Sequence, residues 1–180
     1  IYIDQLIDIY NGKAIIRPKL QYKDYCEWMG TKDISEQKKY WSDMFSDGVT
    51  NLDLPMDFAR PSIRSSKGAV VEGEVSELLQ QKLKKLSYKF GVSLHMIFLS
   101  VLMILLGKYS KQSDIVIGIP VNGRKNSELE NMMGMFANTL PILSQPKSDK
   151  VFSDYLGEIK EILLKSYDCL LYTSDAADDR

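Results

Sequence analysis

The stretch from Asp114 to Pro141, DIVIGIPVNGRKNSELENMMGMFANTLP, does most to constrain how this chain can fold. It holds a β-branched run, a turn rich in Gly and Pro that ends at Gly123-Arg124, a charged connector and a second Gly-containing apolar run. Short runs of Ile and Val bounded by turn residues read as strands. A pair of strands cannot bury its own apolar face, so helices must cover it, and helical patterns flank the stretch on both sides. Strands alternating with helices place the chain in the α/β or α+β class.

With 180 residues, 44% apolar and 26% charged, the chain has the make-up of a folded globular protein. Its 23 basic and 24 acidic residues give a net charge of -1, which excludes a basic field for nucleic acid. Cys26 and Cys169 lie far apart and His95 is the sole histidine, so neither zinc-ligand spacing nor a disulfide framework is present. A reducing, cytoplasmic setting is expected. The longest apolar run, Leu94 to Leu106, is too short to span a bilayer. No basic lead or small-residue cleavage site marks a signal peptide.

Ile3, Leu6, Ile7 and Tyr10 share one helical face that begins with neither a capping residue nor an initiator Met. The pattern reads as a helix entered in mid-course, in a truncated chain. Asn11-Gly12 ends it. Tyr22, Tyr25, Cys26 and Met29 mark a second helix. Ser35 is the expected N-cap of a third, carrying Tyr40, Trp41, Met44 and Phe45 and stopped at Asp47-Gly48. These aromatic stripes read as core. Leu52 to Ser65 is a Pro-interrupted loop in which Asp53 and Asp57 precede Arg60 and Arg64, favouring ion pairing over acid–base work.

Gly68 to Val75 reads as a strand. Ser76 then caps a helix with the apolar stripe Leu79, Leu83, Leu86 and Phe90, closed by Gly91. Its lysines, Lys82, Lys84, Lys85 and Lys89, lie mostly off that stripe and read as a solvated face. The next helix, capped by Ser93, is apolar nearly all round and is expected to be buried. After a polar break from Pro146 to Lys150, Phe152, Tyr155, Leu156, Ile159 and Leu163 mark a last amphipathic helix to about Ser166.

Several residues invite a chemical reading. Gly118 to Gly123 with Arg124-Lys125 echoes a phosphate-binding loop. However, Arg stands where that loop needs Lys, Lys where it needs Ser or Thr, and Pro120 removes an amide. It is not one. His95 has no legible Ser, Cys or carboxylate partner for general-base work. Cys26 has no visible group to lower its pKa, so burial is the better reading. Gly118 and Gly134 sit where a backbone or a ligand can approach closely. Arg124 offers a planar fork of donors, and Asn138 both a donor and an acceptor. Such groups beside apolar walls suit an amide- or thioester-bearing substrate. Equally, Arg124 pairing with a carboxylate and Asn138 satisfying buried backbone would account for both.

Four stretches in order then carry a resemblance. QYKDYCEW, with Tyr22, Asp24, Tyr25 and Trp28, resembles a YxDYxxW motif. LDLPMDFARP, with Asp57, Arg60 and Pro61, resembles LPxDxxRP. SDIVIGIPVNGR is similar to IGxPxxGR, and NMMGMFANTLP to MxGxFxNTLP. Together they resemble the condensation domain of nonribosomal peptide synthetases, with its chloramphenicol-acetyltransferase-like fold. The family's HHxxxDG motif, whose histidine orients or deprotonates the acceptor amine, is absent. After Cys169, LLYTSDAADDR resembles no part of the family, so residues 170–180 read as a non-native tail.

The resemblance implies an acyltransferase-type, amide-forming domain of secondary-metabolite and antibiotic biosynthesis. An acceptor amine would attack a donor aminoacyl or peptidyl thioester. Both would be carried on phosphopantetheine arms of partner carrier proteins, beside an adenylation domain in the same synthase. The domain itself would bind no cofactor or metal. Residues 1–47 would complete an N-terminal lobe, 48–67 would link, and 68–169 would form much of the C-terminal lobe. Gly118, Pro120, Arg124, Gly134 and Asn138 would line the substrate tunnel, and the loop around Arg60 and Arg64 could face a carrier. With no catalytic histidine the chain alone would be inactive. Heterocyclisation or epimerisation relatives and a non-catalytic docking scaffold are the alternatives.

Overall fold

A computed structural model describes residues 1–14, 19–49, 51–59, 61–63, 65–124 and 127–170. The elements run α1 (Tyr2–Tyr10), α2 (Tyr22–Gly30), α3 (Ser35–Met44), α4 (Glu77–Phe90), α5 (Leu94–Ser110), β1 (Ile115–Asn122), α6 (Ser127–Glu130), β2 (Ala137–Ser144) and α7 (Phe152–Asp168). The chain divides into two compact units. One comprises Ile1–Ser46, Gly118–Leu140 and the segment from Tyr167; the other comprises Asp47–Ile117 and Pro141–Ser166.

β1 and β2 form a two-stranded sheet. At one end the Gln145 amide donates to the Asp114 carboxylate at 2.6 Å, and at the other the Gly123 N–H donates to the Phe136 carbonyl at 2.8 Å. Those two pairings fix an antiparallel register. Alternate positions of β2 are buried, with Leu140 and Ile142 fully enclosed.

In the unit containing α4, α5 and α7, Val92, Ile97 and Leu156 form a core cluster packed by Leu83, Leu86, Phe90, Met96 and Phe152. Ser76 and Ser93 cap α4 and α5 as their spacing predicts, accepting from Leu79 N–H at 3.4 Å and Met96 N–H at 3.2 Å. Gly91 closes α4 at φ +59°. In the other unit Leu129, Met132 and Phe136 cluster with Tyr22 and Tyr25, and buried Trp41 donates its indole N–H to the Cys169 carbonyl at 3.1 Å.

Three expectations fail. Gly68 to Val75 forms no strand: Val70 and Val71 are 85% and 97% exposed, and no described strand pairs with them. A β-compatible run without a ladder partner stays irregular. Ser35 is the first residue of α3 rather than its cap. Asp33 accepts from both the Ser35 N–H and hydroxyl, and these bonds hold its carboxyl below the usual carboxylate range. Finally, α5 is buried only along Ile97, Leu99, Ser100 and Met103, while Phe98, Val101, Leu102 and Leu105 stay 43–50% exposed. One side of α5 meets its unit's core, and nothing in the described unit covers the other.

Among the described residues no single helix is long and apolar enough to cross a membrane; α4 and α5 together pass that test only as a pair bent by 101°.

Candidate functional site

The aromatic residues of α2 build the first wall. Phe136 takes an edge-on contact from Tyr22 at 5.2 Å between ring centroids and a tilted one from Tyr25 at 5.0 Å. Tyr25 continues the row to Trp28 at 5.9 Å. Asp24 serves the helix start, accepting the Gln21 N–H at 2.8 Å. The Tyr22 hydroxyl donates to the Met135 carbonyl at 2.9 Å, tying α2 to the entry of β2. Burial, and then the neighbouring Cys26 thiol, pushes the Tyr22 phenol up; burial, and then Tyr22, does the same to Tyr25.

Arg124 is committed to the connector between the strands. Its guanidinium donates to the Leu129 carbonyl, to the Met132 carbonyl at 2.7 Å and to the Gly134 carbonyl at 3.5 Å. The same group lies 4.1 Å over the Phe136 ring. A planar fork suits several carbonyls in one turn, and the aromatic face below completes its surroundings. Among the described residues Arg124 therefore pairs with no carboxylate and gives its terminal nitrogens to backbone carbonyls instead. It clamps the loop.

Gly134 is needed for a close approach, and what approaches is Tyr22. A Cβ there would sit 2.1 Å from the Tyr22 ring. At Gly118 a Cβ would lie 2.9 Å from the Thr139 methyl on the neighbouring strand. Asn138 works largely for the backbone: its amide donates to the Leu170 carbonyl at 3.5 Å, and its oxygen accepts the Thr139 N–H at 2.8 Å.

A cleft of about 320 Å³ opens between α2 and the start of β2, bordered by Tyr22, Tyr25, Cys26, Met135, Phe136 and Asn138. Pro120, Arg124 and Gly134 instead share a shallow groove on the strand side, and Gly118 borders neither. Cys26 is exposed rather than buried. Trp28 is half-exposed and carries Lys32 4.3 Å over its ring. Asp57 and Pro61 lie exposed in the loop of the other unit, and Arg60 and Arg64 lie outside the described residues. His95 is exposed in the first turn of α5. Among the described residues no cluster of His, Cys, Asp and Glu could hold a metal ion.

Two site residues escaped the reading of the sequence. A Cβ at Gly123 would meet the Phe136 carbonyl at 2.5 Å, and Phe136 itself is the hub of the aromatic row. Both stand inside quoted motifs, but neither carries a polar group that would single it out.

The chain has the chloramphenicol-acetyltransferase-like fold in part, as its alignment to solved condensation domains shows. The fold aligns with the X-domain from teicoplanin biosynthesis at a TM-score of 0.80 and 23% identity, over 91% of this chain and 39% of that one. The first condensation domain of the CDA synthetase aligns at a TM-score of 0.72 and 16% identity, over 95% of this chain and 39% of that one. The chain belongs to the condensation-domain family, whose family model, "Condensation domain", matches residues 1–170. Bacitracin synthase 3 of Bacillus licheniformis is 37% identical over 175 residues, 95% of this chain but 3% of that protein. Tyrocidine synthase 3 of Brevibacillus parabrevis is 36% identical over 172 residues, 93% of this chain and again 3% of the relative.

Proposed function

We propose that this chain is part of a condensation domain that forms an amide bond between an acceptor amine and a donor thioester, each delivered by a carrier protein on a phosphopantetheine arm. The observation that carries this reading is the family match across residues 1–170, in which four motifs stand in family order. In this proposal α1 to α3 complete an N-terminal lobe, and the remainder forms much of the C-terminal lobe. The HHxxxDG histidine is supplied by sequence outside this chain.

The chemistry asks for alignment more than attack. Holding amine and thioester in register supplies several orders of magnitude in rate, and a dry channel strengthens any dipole aimed at the developing oxyanion. The residues here serve alignment. Arg124 fixes the connector, Gly134 admits the Tyr22 ring, and these hold the start of β2 in place beside the cleft. Asn138 lies in that wall with its amide already engaged, so its part is to set the backbone rather than to grip a substrate.

The test is to assay dipeptidyl transfer between loaded carriers, using residues 1–169 alone and the same residues joined to the upstream sequence of the parent synthase. Transfer by the longer protein alone is expected. Turnover by residues 1–169 would overturn the placement of the histidine, and a longer protein that makes a thiazoline ring instead of an amide would establish heterocyclisation. A docking role without chemistry is the second reading. In its favour, the teicoplanin X-domain, which shares the fold at a TM-score of 0.79 and 24% identity, was solved as a complex with OxyB. A longer protein that binds carriers but transfers nothing would select it.

A further inference from the structure

From Ser76 to Lys111 the chain carries six lysines and a single carboxylate, Glu77, although its overall net charge is -1. Three of those lysines form a row on α4. Leu78, Lys82, Lys85 and Lys89 recur at intervals of four, three and four residues, which places them on one stripe of the helix about 16 Å long. All four are exposed, Leu78 by 64%, and beside them Tyr88 is 93% exposed. At the end of the row Lys160 from α7 brings its Nζ within 3.5 Å of a Cβ built on Gly91. Among the described residues none of the α4 lysines pairs with a carboxylate.

We propose that this stripe of α4 is a docking face for an acidic helix of a protein partner. The lysine spacing matches carboxylates placed once per turn on a facing helix, as charged flanks do in paired helices. Leu78 and Tyr88 provide apolar contact area beside the charges, and Tyr is a frequent anchor of protein interfaces. A lipid surface fits less well. On α4, Leu83, Leu86 and Phe90 are spent on the core with Val92, Ile97 and Leu156, which leaves only Leu78, Leu79 and Tyr88 exposed, too narrow an apolar face to enter a bilayer. Nucleic acid fits less well too, since the row neutralises few phosphates and contains no Arg fork for base edges. The inference does not depend on which reaction the domain runs.

The experiment titrates the full chain into a fluorescein-labelled amphipathic peptide of about five turns, with Glu at matching intervals and Leu beside them. Parallel titrations use a single-stranded oligothymidine and vesicles of phosphatidylcholine with phosphatidylserine. Peptide binding is expected to weaken about tenfold or more in Lys82→Glu/Lys85→Glu/Lys89→Glu, and also as salt rises from about 50 to 300 mM. Tyr88→Ala, which leaves the charge intact, is expected to weaken the peptide several-fold and the oligonucleotide not at all. Circular dichroism confirms that each variant is folded. No binding of the peptide, equal binding by the charge-reversed variant, or tighter binding of oligonucleotide or vesicle would each overturn the proposal.

Discussion

Tyr22 lays its ring on Gly134 so closely that no other residue fits there. The atoms a Cβ would meet, at 2.1 and 2.5 Å, include the ring carbon next to the Tyr22 Cβ, so a small rotation of the ring gives no relief. Gly134→Ala is expected to cost about 2–3 kcal/mol, read from urea unfolding. Because the cause is one contact, Tyr22→Ala in the same chain should remove most of that penalty, giving a coupling of about 1–3 kcal/mol in a double-mutant cycle. Additive losses would mean that Gly134 is constrained by something else. Arg124→Lys tests the clamp. It keeps the charge but cannot reach three carbonyls from one plane or stack as widely on Phe136. The expected loss is about 1–3 kcal/mol, and Arg124→Lys at wild-type stability would refute the clamp.

Between elements, the bond joining β2 to α7 gives the fold a response to alkali. Ser144 and Tyr155, both buried, share a hydrogen bond of 2.8 Å. Burial pushes the Tyr155 phenol up, opposed by the bond to Ser144. A phenol whose folded pKa lies above its unfolded value of about 10 contributes stability that is complete below that pH and is lost as pH rises through the folded pKa. Stability should therefore fall above about pH 10, and the fall should be shallower in Tyr155→Phe. Tyr22 and Tyr25, raised in the same direction, contribute to the remaining slope. An identical slope in Tyr155→Phe would show that Tyr155 titrates normally.

The elements most legible in the sequence are those whose signals are local. Ser76, Ser93 and Gly91 mark helix ends through bonds within a turn, β1 is marked by a β-branched run and β2 by a shorter apolar run. What stayed hidden depends on residues distant in sequence. Gly68 to Val75 has a strand's composition but no partner, and Ser35 lost its capping role to Asp33 two residues earlier. In the site, the residue types of Arg124, Gly134 and Asn138 were visible from the motifs. Their engagement was not, because the carbonyls that hold Arg124 and the ring that fills the space at Gly134 carry no pattern of their own.

At the scale of the whole molecule, the apolar surface on α1 and α5 is the dominant unsatisfied term. On α1, Tyr2, Ile3, Leu6, Ile7 and Ile9 are each more than half exposed, and on α5 Phe98, Val101, Leu102 and Leu105 are 43–50% exposed. Contiguous apolar faces of this kind drive association, and each large side chain withdrawn from water gains about 1.5–3 kcal/mol at full burial. The isolated chain is expected to self-associate at micromolar concentration, bind an apolar dye and sediment as a mixture of species. Phe98→Gln/Leu102→Gln/Leu105→Gln removes exposed rather than core groups of α5, so it should reduce both dye binding and association while the helix content stays constant. The α1 face can be tested separately with Ile3→Gln/Ile7→Gln, which leaves the α5 unit untouched. If sedimentation shows a monomer that binds no dye, these faces are covered in solution, and the exposure read from α1 and α5 is wrong.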